Sequence, residues 1–102
     1  MGAEAQFWIG ECYARDQRWE EAVRSFLKVG YLFPEQLMWA ATSELRAAEI
    51  YVRTGRQEEA RTLYRRVVQT HGAASQWGRL AREGLDALGP AGTNEGPARS
   101  TR

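Results

Sequence analysis

The stretch Ile9–Val29, IGECYARDQRWEEAVRSFLKV, returns 38 positions later as Ala47–Val67, AAEIYVRTGRQEEARTLYRRV. The two align without a gap, and eight of the 21 pairs are identical: Glu11/Glu49, Tyr13/Tyr51, Arg15/Arg53, Arg18/Arg56, Glu20/Glu58, Glu21/Glu59, Ala22/Ala60 and Val29/Val67. Gly10/Ala48, Phe26/Tyr64 and Lys28/Arg66 keep size or charge. A gapless register that preserves residue chemistry is an internal duplication, and a duplication at this period decides the architecture before any other signal does.

Each copy reads as two helices. In the first, Phe7, Trp8, Ile9, Cys12 and Tyr13 recur at helical spacing, Asp16-Gln17-Arg18 interrupts, and Ala22, Val23, Phe26, Leu27 and Val29 resume. In the second, Leu45, Ala48, Tyr51 and Val52 lead to Gly55, placed to end a helix in the left-handed conformation. Ala60, Leu63, Tyr64, Val67 and Val68 follow, and His71-Gly72 closes the unit. Pro34 suits the first turn of the third helix, which is expected from about Glu35 to Arg53. A last amphipathic segment, about 75–88, aligns Trp77, Leu80, Ala81, Leu85 and Leu88, and Gly89-Pro90 stops it. No stretch alternates over strand length, so the chain is expected to be all-α. One domain, 1–88, with units of about 3–36 and 37–74 and a closing helix, is followed by a Gly/Pro/Ser/Arg tail, 89–102, expected to be disordered.

Composition removes several classes of function. The chain has 102 residues, 14 basic and 13 acidic, a formal charge of +1; a dedicated nucleic-acid binder carries a strong basic excess. One Cys allows no internal disulfide, and no uncharged run approaches the ~20 residues of a membrane span. The early charges at Glu4, Glu11 and Arg15 leave no room for a signal-peptide core. As written, the chain is therefore expected in the cytoplasm; as a piece of a longer protein, it would be periplasmic or envelope-associated. Phosphate loops, nucleophile elbows and metal-ligand spacings are missing from the sequence, so neither catalysis nor a cofactor nor a metal is expected. Cys12, aligned with Ile50, reads as a small buried hydrophobe. Arg61, Arg65 and Arg66 read as a solvated helix face.

The order Ile9-Gly10, Tyr13, Ala22, Phe26, Pro34 in the first unit, and Ala47-Ala48, Tyr51, Gly55, Ala60, Tyr64 in the second, resembles the tetratricopeptide repeat. Departures are Gln6 and Glu44 where that family carries a large aromatic, and Gln17 at the first turn glycine. The 38-residue period exceeds the usual 34, with the extra turn placed over Leu37–Ala41. That spacing is similar to the bacterial envelope type, such as Tol–Pal coordinator proteins. The resemblance implies a short right-handed solenoid of helical hairpins, two pairs plus a closing helix, that binds a protein or peptide on the concave row of first helices.

Carried over to this sequence, the resemblance places Phe7, Trp8, Glu11 and Arg15 in the groove from the first unit, and Leu45, Arg46, Glu49 and Arg53 from the second. Trp8, Phe7 and Leu45 would be apolar anchors. Glu11 with Arg15, and Glu49 with Arg53, stand four apart and are expected to pair along their own helices. The Asn-and-Lys carboxylate clamp of chaperone-binding members is excluded, because the only Asn is Asn94 and the only Lys is Lys28. The alternative to a peptide-binding scaffold is a self-associating subunit, a homodimer or larger oligomer, that uses the uncapped first helix. Neither reading involves nucleic acid or direct membrane insertion.

Overall fold

The computed structural model describes residues 2–89. Five α-helices follow one another: α1 (Ala3–Arg15), α2 (Trp19–Leu32), α3 (Leu37–Arg53), α4 (Gln57–His71) and α5 (Gln76–Leu88). The chain is all-α, a helical-repeat stack. Each helix packs chiefly on its neighbours in sequence, with lesser contacts from α1 to α3 and from α3 to α5. Those lesser contacts put α1, α3 and α5 in one row, with α2 and α4 behind them. The tail 90–102, expected to be disordered, lies outside the described residues.

The duplicated residues build duplicated turns. At the end of α1 the Arg18 N–H reaches back to the Tyr13 carbonyl at 2.9 Å and the Gln17 N–H to that of Ala14 at 3.0 Å. After α3 the Arg56 and Gly55 N–H groups repeat these bonds to Tyr51 and Val52 at 2.7 and 3.1 Å. This is the Schellman closure, and it needs a left-handed residue. Gly55 supplies it at φ 84°, and Gln17 adopts it at φ 62° despite its side chain. Arg18 then stacks on the Tyr13 ring at 5.0 Å and pairs with Glu21 at 2.9 Å. Arg56 does the same with Tyr51 at 5.0 Å and Glu59 at 3.0 Å. Four of the identities therefore hold the turn: Tyr13/Tyr51, Arg18/Arg56, Glu21/Glu59 and, on the buried side, Ala22/Ala60.

Small residues let the helices close on aromatic ones. Ala22, Ala47, Ala48 and Ala60 are fully buried, as are Phe26, Val29 and Val67. A Cβ on Gly10 would come within 2.7 Å of the Phe26 ring, so only glycine admits that ring against α1. Burying a side chain such as Phe26 contributes about 1.5–3 kcal/mol.

Four expectations need correction. Pro34 lies in the turn before α3, which starts at Leu37, because Phe33 and Gln36 close that turn with their own hydrogen bond. Leu80 is exposed; α5 buries Gly78 and Ala81 and half-buries Trp77, Leu85 and Leu88, and Leu80 falls on the outer edge of that stripe. Arg61 is 2% exposed, not solvated. It occupies the position of Val23, under α5, where Nη1 donates to the Gly89 carbonyl at 2.6 Å while Nε and Nη2 find no acceptor. Cys12 is exposed, since no helix lies beyond α1 among the described residues to cover it as α2 covers Ile50.

Candidate functional site

The row of first helices carries a groove of about 350 Å³ between α1 and α3. Trp8, Glu11, Arg15, Arg46, Glu49 and Arg53, six of the eight residues singled out above, line it together. Helical periodicity explains the gathering. Positions 8, 11 and 15 lie on one side of α1, and 46, 49 and 53 are their matched positions on α3.

Phe7 and Leu45 do not reach the groove surface. Both are buried, because their side of each helix faces the inter-helix core. Phe7 packs against Phe26 and Trp39 with ring centroids 5.4 and 5.3 Å away and supports Trp8 edge-on at 5.1 Å. These two residues hold the wall in place; of the expected apolar anchors only Trp8, 51% exposed, offers itself to a partner.

The charges pair differently from the expected i,i+4 bridges. Arg46 reaches across to α1 and takes both Glu11 oxygens, Nε to Oε2 at 2.7 Å and Nη2 to Oε1 at 3.0 Å. Its Nη1 donates to Glu49 at 2.8 Å. The fork matches a carboxylate in plane and gives two parallel charge-assisted bonds. These bonds, Glu11's first, push the Arg46 guanidinium further above its already high pKa, against the opposing effect of burial. With both carboxylates drawn to Arg46, neither Arg15 nor Arg53 has a carboxylate partner among the described residues. Arg53 lies instead over the Trp19 ring at 5.4 Å. Three guanidiniums face two carboxylates along the groove.

Trp19, Ala14 and Ile50 complete the lining and were not among the expected residues. A signal for Trp19 existed: it is the aromatic at a helix start where the second unit has Gln57. Trp19 and Ile50 also border a second cleft of about 450 Å³, walled by Val23, Leu27 and Tyr51 at the joint between units. Away from the grooves, burial pushes the Glu44 carboxyl up and the His71 imidazole down. Among the described residues no three metal-ligating side chains converge, and no helix is long and apolar enough to cross a membrane.

Comparison with known proteins agrees with the architecture. The family profile described as the tetratricopeptide repeat matches residues 4–35 and 42–73. Its two matches fall on the two helix pairs and leave out 36–41, where α3 begins a turn early. No curated protein and no solved structure matches the chain. Two profile matches that cover most of the chain, on helix pairs with matching turns, make it a member of the tetratricopeptide repeat family.

Proposed function

We propose that the chain is a non-enzymatic scaffold that holds an extended, acidic peptide segment of a partner protein along the α1/α3 groove. Repeats of this family generally mediate protein–protein contact, which supports the broad reading. The observation that carries the finer one is the distribution of charge. Glu11 and Glu49 are spent on Arg46, while Arg15 and Arg53, the latter over the Trp19 ring, line the groove with Trp8 and have no carboxylate partner among the described residues. A carboxylate entering the groove meets guanidiniums that lack a carboxylate partner, and an apolar side chain beside it meets indole. Trp and Arg are also the residue types that dominate binding energy at interfaces. Within the family, the 38-residue period supports placing the chain with the bacterial envelope type.

The test is fluorescence anisotropy with two labelled peptides, one alternating Glu with Leu and one alternating Lys with Leu. The Glu peptide should bind at least tenfold more tightly, and Arg53→Glu should erase that preference while leaving the circular dichroism unchanged. Equal binding of both peptides, or binding of neither, sinks the reading.

A further inference from the structure

The duplication supplies its own control for what is missing at the outer face of α1. In α3 the positions Ser43, Ala47 and Ile50 are 0%, 0% and 3% exposed; they share one helix face, and Ile50 on it borders the α2 residues Trp19, Val23 and Leu27. Their matched positions on α1 are Ala5, Ile9 and Cys12. Here Ala5 and Cys12 are exposed and Ile9 only half-buried. These residues fall within an arc of about 60° at 100° per residue, so they form one continuous helix face. The face is apolar, it has the same backbone setting as one that is fully covered, and nothing among the described residues covers it.

We propose that a second copy of this chain covers it, α1 packing antiparallel on α1 about a two-fold axis close to Ile9. The charges on the face's edge are the reason for choosing a second copy. Glu4, Trp8 and Arg15 lie along one edge of the stripe, and a two-fold axis across an antiparallel pair brings like edges together. Glu4 stands about 7.5 Å before Ile9 along the helix and Arg15 about 9 Å after it. Each Glu4 therefore arrives beside Arg15 of the second copy, giving two symmetric ion pairs. Neither residue has an ion-pair partner within its own chain among the described residues. Trp8, half exposed, meets its counterpart near the axis. The face is self-complementary in charge as an isologous interface requires.

The interface shares Trp8 and Arg15 with the groove, while Ile9 lies outside the groove lining and Arg53 outside the interface. The edge that carries Trp8 and Arg15 is also the groove side of α1, so the two grooves of the pair would adjoin. At Arg15 an acidic guest and Glu4 of the second copy are alternatives, whereas Arg53 on α3 is open to the guest with or without the second copy.

Sedimentation equilibrium of the 102-residue chain should give twice the monomer mass, and Ile9→Glu should return it to one with unchanged circular dichroism. The arrangement itself is read by oxidation. Along one helix positions 5 and 12 are about 10.5 Å apart, beyond the ~7 Å limit for a disulfide, but across the proposed axis each faces the other. Ala5→Cys should therefore give a disulfide-linked dimer through the native Cys12, and adding Cys12→Ser should abolish it. A monomer at every concentration overturns the proposal. So does a dimer that survives Ile9→Glu, or one in which Ala5→Cys forms no link. Arg53→Glu alters the groove outside the interface and Ile9→Glu alters the interface outside the groove, so the two readings fail separately.

Discussion

The first and second units share a turn, a helix pair and eight identical residues, yet the same position is surface in one and core in the other. Cys12 is exposed and Ile50 is buried; Trp8 stands out at 51% exposure where Arg46 is held by two carboxylates. Repetition specifies the hairpin, whereas burial is assigned by whichever helix lies alongside. α3 has α2 on one side and α4 on the other. α1 has a neighbour on one side only among the described residues.

The largest contrast should appear when the matched pair is truncated. Ile50→Ala removes packing between α2 and α3 and should cost about 2–4 kcal/mol in urea denaturation. Cys12→Ala in the dilute monomer should fall within about 0.5 kcal/mol of the parent. Similar losses at both positions would mean that α1 is covered after all.

An intermediate effect is expected at the turns. Gln17 and Gly55 hold the same left-handed conformation, which costs a residue with a Cβ about 1 kcal/mol. Gln17→Gly should raise stability by about that amount, and Gly55→Gln should lower it about equally. Thermal or urea melts of the two variants would show whether the turns are interchangeable.

The smallest effect concerns pH. Gln6 donates to the Ser25 carbonyl at 3.3 Å in the first unit, while its matched residue Glu44 is a largely buried acid. Burial raises the Glu44 carboxyl above its usual 4.5, and Arg66, 3.8 Å away, offsets this only in part. The folded state then binds the proton more tightly than the unfolded one. The native protonation is favourable below the usual value, and that contribution is lost as pH rises through the raised one. Glu44→Gln should therefore be more stable than the parent at pH 7, with the gap shrinking as pH falls through the raised value and closed once it is below 4.5. A gap that does not change with pH would show that the carboxyl is not the cause.

The helix pairs were legible because eight identities stand in a register without gaps, and because apolar spacing marks a helix whatever surrounds it. The left-handed turn was legible at Gly55 and hidden at Gln17, where residue type argues against the conformation. Groove lining was legible for Trp8, Glu11, Arg15, Arg46, Glu49 and Arg53, since matched positions on successive first helices share a side. Phe7 and Leu45 were misplaced because an apolar residue one position away along a helix turns about 100° toward the core. The ion pairs were misassigned for a related reason. Spacing of four displays only the neighbours on one helix, whereas Arg46 finds Glu11 35 positions earlier. Cys12 and Arg61 show the same limit from opposite directions: their burial depends on whether another helix packs over them.

The turn motif has a consequence for how the array can grow. Everything that closes it, from Tyr13 to Glu21 or from Tyr51 to Glu59, lies within nine consecutive residues. Contacts this short in sequence form without waiting for distant segments. The unit thus carries its own corner, ready-made, wherever it is copied. Tandem insertion of a further 38-residue module would bring a complete corner with it and disturb no other, so lengthening such a chain requires duplication and not redesign.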